Sequence, residues 1–369
     1  MRGGSHRLDV AVIEIVASLL FGGAMCREWK RSGRAALLLA VAGVYGLVLE
    51  ILNMHVFRTY HYHGDFVRVW GAPLVIGPLW GLVLVSSMRL SDGLGVVRWA
   101  RPLSDGALCV LVDLGMDAVA IRLEYWTWNI PLHEGFYGVP ASNLFAWICV
   151  GVCFSACARL ARRRGGVMAL LLVVPGAYLL LFLLFIAHGG FLRLAGLHTE
   201  AEKLPVFWAT LLVCVLCASL SRSAGPVAAA PAIGVYGVAR AAVHGYFLLA
   251  YLGLGLYREI PSLLVIAIIA GAVEIVLHVR VRQLQRVAGR VGSGAASARG
   301  RPRRPGLLAD TPRMGLTPPR RPPARESLRS QAPPRAAPPG ARLAAPPRVA
   351  GTDGVAAADR GSGSHPRGA

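Results

Sequence analysis

Apolar residues run along the chain in blocks of about 20, broken by short polar stretches, and a helix of that length crosses a hydrocarbon core of ~30 Å. The blocks predict helices at roughly 8–26, 35–57, 70–88, 103–121, 142–158, 167–187, 206–221, 233–257 and 260–280. That makes nine spans. The first and seventh are the least regular, so eight is the alternative count. The expected fold is an all-α membrane protein, a polytopic bundle over residues 1–282. Residues 283–369 break the pattern altogether.

Charge in the connections orients the bundle. Arg27, Lys30, Arg31 and Arg34 follow the first span, Arg89, Arg98 and Arg101 the third, and Arg159, Arg162, Arg163 and Arg164 the fifth. Connections on the other side carry one or two basic residues each, often beside acids or His. By the positive-inside rule the N-terminus is expected outside and the C-terminal tail in the cytoplasm of a multi-pass cell-membrane protein. The first apolar run carries Glu14 and has no small-residue cleavage site before Arg27, so no signal peptide is expected.

Composition agrees with a membrane. Of 369 residues, 55% are hydrophobic and 16% charged, whereas a soluble domain carries about 25% charge. The net charge of +20 would suggest nucleic acid, but from Gln283 onward 16 Arg stand against four acids, so +12 of it lies in the tail. That segment also holds 14 of the 24 Pro and no Phe, Tyr or Trp. Such a sequence buries too little apolar surface to repay ordering. A disordered tail touching anionic lipid headgroups is expected, and no nucleic-acid partner. Cys149, Cys153 and Cys157 share one stripe of an apolar helix, and Cys214 and Cys217 lie in another apolar run. Both groups read as packing residues rather than redox or zinc ligands.

An internal repeat distinguishes the middle of the chain. Gly71-Ala-Pro73 is followed by Trp80, and Gly138-Val-Pro140 by Trp147, a shared G-x-P-x6-W at an offset of 67 residues. The same offset maps Glu50 onto Asp117 and Trp70 onto Tyr137. Spans two and three thus resemble spans four and five in the same orientation. Parallel repeats of this kind place a pseudo-twofold axis along the membrane normal, with substrate bound between the halves.

Ionisable groups inside an apolar span are costly and are functional candidates by default. Glu14, Glu50, Asp113 and Asp117 are such groups. The i, i+4 spacing of Asp113 and Asp117 puts both carboxyls on one helix face. Two carboxyls that close in low dielectric do not both ionise, so one is expected to carry a proton. The repeat would add Glu50 from a second helix. The competing reading is buried carboxyls bonded to helix ends, Arg58 or Arg122. Tyr60, Tyr62, Trp70, Trp80, Tyr125, Trp126, Trp128, Tyr137 and Trp147 surround the acids. Aromatic faces stabilise a cation by ~0.5–2 kcal/mol each when water is excluded. An acid, aromatic walls and a lipid-facing entrance together suit protonation of an alkene and capture of the carbocation by water. Packing and interfacial anchoring would account for many of the same rings.

Other chemistries fit less well. His55, His61 and His63 with Asp65 could hold a metal, but the repeated HxxxH and HxxHH boxes of membrane di-iron enzymes do not occur, and no metal or other cofactor is expected. No Walker loop, strand-borne GxGxxG or serine elbow appears.

Taken together, Glu50-Ile-Leu-Asn53, Tyr60-His-Tyr62, Gly71-Ala-Pro73, Pro78-Leu-Trp80, Asp113-Leu-Gly-Met-Asp117, Trp126-Thr-Trp128 and Phe136-Tyr137-Gly138-Val139-Pro140-Ala-Ser-Asn143-Leu-Phe-Ala-Trp147 resemble the integral-membrane carotenoid biosynthesis protein family. That family includes bisanhydrobacterioruberin hydratase and gamma-carotene 1'-hydroxylase. The resemblance covers roughly 35–280 and is densest over 45–150. It departs at Asp117-Ala118, where many relatives are expected to have Asp-Pro. It implies a carotenoid hydratase that adds water across the terminal C1–C2 double bond of an acyclic carotenoid end. Asp117, Glu50 and Asp113 are then the catalytic residues. Asn53, Tyr60, Tyr62, Trp80, Trp126, Trp128, Tyr137, Asn143 and Trp147 are the substrate contacts, and other carotenoid-pathway enzymes are potential partners. A prenyl-lipid transferase or cyclase, and a non-catalytic carrier of lipid or small solute, are the alternatives. Dependence on magnesium and diphosphate would mark the transferase.

Overall fold

Residues 2–222 and 234–299 are described by a computed structural model of the chain, with side chains over 9–222 and 234–287. Every predicted apolar block forms helix. In chain order these are α1 (Arg2–Arg31), α2 (Gly33–Leu52), α3 (Ile76–Gly93), α4 (Arg101–Asp113), α5 (Asp117–Ala120), α6 (Ala141–Arg164), α7 (Val167–Leu171), α8 (Val173–Leu194), α9 (Glu200–Leu220), α10 (Gly234–Gly253) and α11 (Pro261–Arg299). Four short strands, β1 (Tyr60–Tyr62), β2 (Arg68–Val69), β3 (Ala72–Pro73) and β4 (Trp126–Trp128), lie in the connections after α2 and α5. The tail expected to be disordered lies, from residue 300 onward, outside the described residues.

Among the described residues seven helices are long and apolar enough to cross a membrane: α1, α2 with the turn that extends it, α6, α7 with α8, α9, α10 and α11. The other two predicted spans are the centre of the bundle. In α3 nearly every residue from Trp80 to Gly93 is buried, Asp92 excepted. Helix α4 carries Asp105 and Asp113, both buried against protein. At Asp105 the neighbouring helix supplies the partners, Ser155 and Arg159 of α6.

Several boundaries differ from expectation, each for a local reason. The third span starts six residues late because Trp70 and Gly71 take left-handed φ of 44° and 80° and turn the chain between β2 and β3. The fourth is broken. α4 stops at Asp113, Leu114-Gly115-Met116 forms a tight turn, and the Met116 N–H bonds to the Asp113 carbonyl at 2.9 Å. Gly115, a poor helix former, sits in that break. In the sixth, Pro175 falls in the first turn of α8, where its missing N–H costs least, and Leu172 interrupts the helix just before it. The seventh begins at Glu200 because Thr199 and Glu202 form a capping box, with the Glu202 N–H donating to Thr199 Oγ1 at 3.3 Å. The ninth runs on to Arg299, past the end predicted for it.

Two tightly packed helix pairs, α2 with α3 and α4 with α6, meet where α3 crosses α4. Close approach in both depends on glycine. A Cβ on Gly46 of α2 would collide with Trp80 of α3, and one on Gly106 of α4 would lie 2.5 Å from the Ile148 carbonyl oxygen of α6. α1 and α10 close one side of this core and α8 and α9 lie against α6.

Candidate active site

Helix lengths and turns bring Glu50, Asp113 and Asp117 to one end of the bundle. Glu50 stands in the last turn of α2, Asp113 ends α4, Asp117 begins α5, and Trp80, Asn143 and Trp147 lie in the first two turns of α3 and α6. Over them lies a two-stranded antiparallel sheet of β1 and β4, with Tyr60 opposite Trp128, His61 opposite Thr127 and Tyr62 opposite Trp126. Alternate residues of a strand face the same side. Tyr60, Tyr62, Trp126 and Trp128 therefore share one face, and all four line the cavity beneath it.

That cavity encloses about 440 Å³ and is walled almost entirely by apolar atoms. Its polar exceptions are the predicted residues Glu50, Asn53, Asp117 and Asn143, the tyrosines, and Arg240. Rings close it tightly. Trp80 and Trp147 face each other with centroids 4.2 Å apart, and Tyr60 meets Trp128 edge-on at 4.6 Å.

Hydrogen bonds are shared unequally among the acids. Glu50 receives three: Tyr60 and Tyr62 donate their hydroxyls to Oε2, the latter at 2.9 Å, and Trp80 Nε1 donates to Oε1 at 2.9 Å. Burial, followed by the neighbouring Glu50 carboxyl, holds the Tyr60 and Tyr62 phenols well above their ordinary range, so both remain donors. Asp117 receives one bond, from Asn143 Nδ2 to Oδ2 at 2.6 Å. Asp113 is fully buried, and among the described residues no donor reaches either of its oxygens. The carboxyl of Asp117 is its neighbour, and two carboxyls this close in a buried site do not both ionise. The two acids meet across the break between α4 and α5, not along one continuous helix face as their spacing suggested. Trp128 Nε1 is a further buried donor without a partner among the described residues.

Other candidates go elsewhere. Asp113 sits behind Asp117, off the cavity wall. Tyr137 is also off the wall: with a left-handed φ of 53° it donates to Ser262 Oγ at 2.8 Å, while its carbonyl accepts from Arg122. Glu14 of α1 accepts the Val67 N–H at 2.8 Å and anchors the connection after α2. His55 bonds to the Trp70 carbonyl at 2.8 Å and His63 to Thr127 Oγ1 at 2.9 Å.

Two walls were not anticipated. Val12, Ile13, Val16 and Leu20 of α1, and Val243, Tyr246 and Phe247 of α10, complete the cavity. Arg240 of α10 is buried and paired with Glu274 of α11 at 2.5 Å, while its other nitrogens reach Ser86, Ser87 and the Leu108 carbonyl. A lone Arg and a lone Glu in apolar spans were signal enough for this pair.

The chain finds no match among curated proteins or among solved structures. A family profile described as carotenoid biosynthesis protein matches residues 10–216, from α1 into α9. The matched stretch begins earlier than the motifs suggested, taking in α1, and ends before α10. It contains all three acids, the aromatic sheet and more than half of the chain, which therefore belongs to the carotenoid biosynthesis protein family.

Proposed function

We propose that this carotenoid biosynthesis protein hydrates the terminal C1–C2 double bond of an acyclic carotenoid end, using its own carboxyls and no cofactor. The observation that carries the reading is the unequal supply of hydrogen bonds. Three donors on Glu50 favour its ionised form, whereas Asp117 has one donor, Asn143, and its neighbour Asp113 has none among the described residues, which favours a proton held by that pair.

In the proposed reaction the Asp113–Asp117 pair delivers its proton to C2, forming a C–H bond with the π electrons and leaving a tertiary cation at C1. The aromatic walls and the Glu50 carboxylate stabilise that cation. Water forms a C–O bond at C1 and yields its proton to Glu50. Passage of that proton back to the Asp pair restores the site. The sum is alkene plus water giving tertiary alcohol. In this reading the Trp128 indole N–H, buried without a partner among the described residues, holds the water or the new hydroxyl.

The polyene enters from lipid between α1 and α10 in this account, since Val12, Val16 and Leu249 line the cavity yet are 47%, 42% and 71% exposed. We read α2–α3 and α4–α6 as a duplicated unit. Support comes from the matching left-handed turns at Trp70-Gly71 and Tyr137-Gly138, the contact of Trp80 with Trp147, and the pairing of β1 with β4. In the same account α3 and α4 also span the bilayer, giving nine crossings, with the arginine-rich end cytoplasmic. Expression in cells that accumulate lycopene tests the reading. It predicts pigments heavier by one or two waters; an unchanged pigment profile with well-inserted protein would contradict it.

A further inference from the structure

A second cavity lies at the opposite end of the helices from the acids. Nine residues, about 13 Å of helix, separate Trp80 from Arg89 along α3. The cleft encloses about 280 Å³ and is rimmed by Arg31, Arg34, Arg89 and Arg162, with Glu28 and Asp92 as its acids. Four cations against two carboxylates leave an excess of two positive charges. Its inner wall is apolar, formed by Leu38, Val85, Met88 and Leu170.

Arg89 makes this more than a basic surface. Its side chain is 9% exposed, paired through Nη2 with Glu28 Oε2 at 2.6 Å, and set with its guanidinium carbon 4.6 Å above the Tyr236 ring. Glu28 is held in turn by the Tyr236 hydroxyl at 3.3 Å. The guanidinium is thus fixed on two sides, and Nη1 is left buried with no hydrogen-bond partner among the described residues. An unpaired buried donor is costly unless something supplies an acceptor. The first turn of α2 opens into the same cleft at Ser32, Arg34 and Ala35, and Ser32 makes no side-chain cap. A helix N-terminus and fixed arginines together favour an oxyanion.

We propose that this cleft binds a phosphate-bearing anion, with Arg89 Nη1 as the buried donor and Arg31, Arg34 and Arg162 as the rim. The phosphate belongs either to an anionic lipid headgroup whose chains lie along the apolar wall or to a free phosphate. The proposal is independent of the hydratase reading.

Native mass spectrometry of the full chain in an uncharged detergent, titrated separately with phosphatidylglycerol, phosphatidylcholine and inorganic phosphate, tests it. A one-to-one adduct is expected with phosphatidylglycerol or with inorganic phosphate, and whichever binds identifies the source. Arg34 and Arg162 are exposed, so R34Q/R162Q folds; it should weaken the adduct about 25-fold, at about fivefold per arginine. R163Q/R164Q removes the same charge from exposed positions outside the cleft and should leave binding unchanged. Absence of any adduct, or equal weakening by the two double variants, would overturn the site.

Discussion

Replacing Tyr62 by Phe removes one hydroxyl and little else. The ring keeps its edge-on contacts with Tyr60 at 5.4 Å and Trp126 at 5.7 Å, while Glu50 Oε2 loses the donor at 2.9 Å. A hydrogen bond to a charged group contributes ~1.5–3 kcal/mol. If Glu50 must be anionic to stabilise the cation and take the proton of water, that loss enters the barrier directly and slows turnover about ten- to a hundredfold. The assay is the initial rate of tertiary-alcohol formation from an acyclic carotenoid in isolated membranes, normalised to inserted protein. Because Tyr62 is argued to act through Glu50, Tyr62→Phe made on Glu50→Gln should cost less than about twofold more. A rate within twofold of the wild type for Y62F alone, or a full additional loss on E50Q, would refute the proposed role of the Glu50 cage.

Asp117→Asn and Glu50→Gln should each reduce turnover by about a hundredfold or more, the scale of losing a general acid or base, with insertion unchanged. Asp113→Asn should do less, since Asp113 stands behind Asp117, and product assays rank the three. Arg240→Met should cost ~3 kcal/mol by leaving the buried Glu274 carboxylate with only His278 and His244 beside it, lowering the melting temperature in detergent by roughly 10 °C. The Arg240→Met/Glu274→Met pair should recover most of that loss. Reporter fusions after residues 30, 95 and 163 should report cytoplasm and those near 64 and 133 the opposite side; a cytoplasmic signal at 133 would invert the bundle.

Much of the site was legible because acids are rare in apolar spans and a spacing recurs. Glu50, Asp117, Trp80 and Trp147 were found by those two signals, and all four face the cavity. The aromatic pairs of β1 and β4 were legible as residues but not as a sheet, because their partners lie more than 60 positions apart. Tyr137 was misplaced, since its left-handed backbone turns the ring toward Ser262, and sequence alone does not carry that angle. The α1 and α10 walls were invisible for a different reason. Val, Ile and Leu on a membrane helix read alike whether they face lipid or a cavity. Helix count was blurred where α3 and α4 exchange apolar surface for buried polar contacts, as at Asp105, which bonds to Ser155 and Arg159.

Hydration differs from every oxidative route to the same alcohol in the origin of its oxygen. The most direct measurement is the mass of the tertiary alcohol formed by the full chain in membranes supplied with an acyclic carotenoid and H2 18O under nitrogen. Hydration requires that product form without O2 and that its hydroxyl carry the heavy isotope from water. A product that needs air, with its label coming from 18O2, would contradict it.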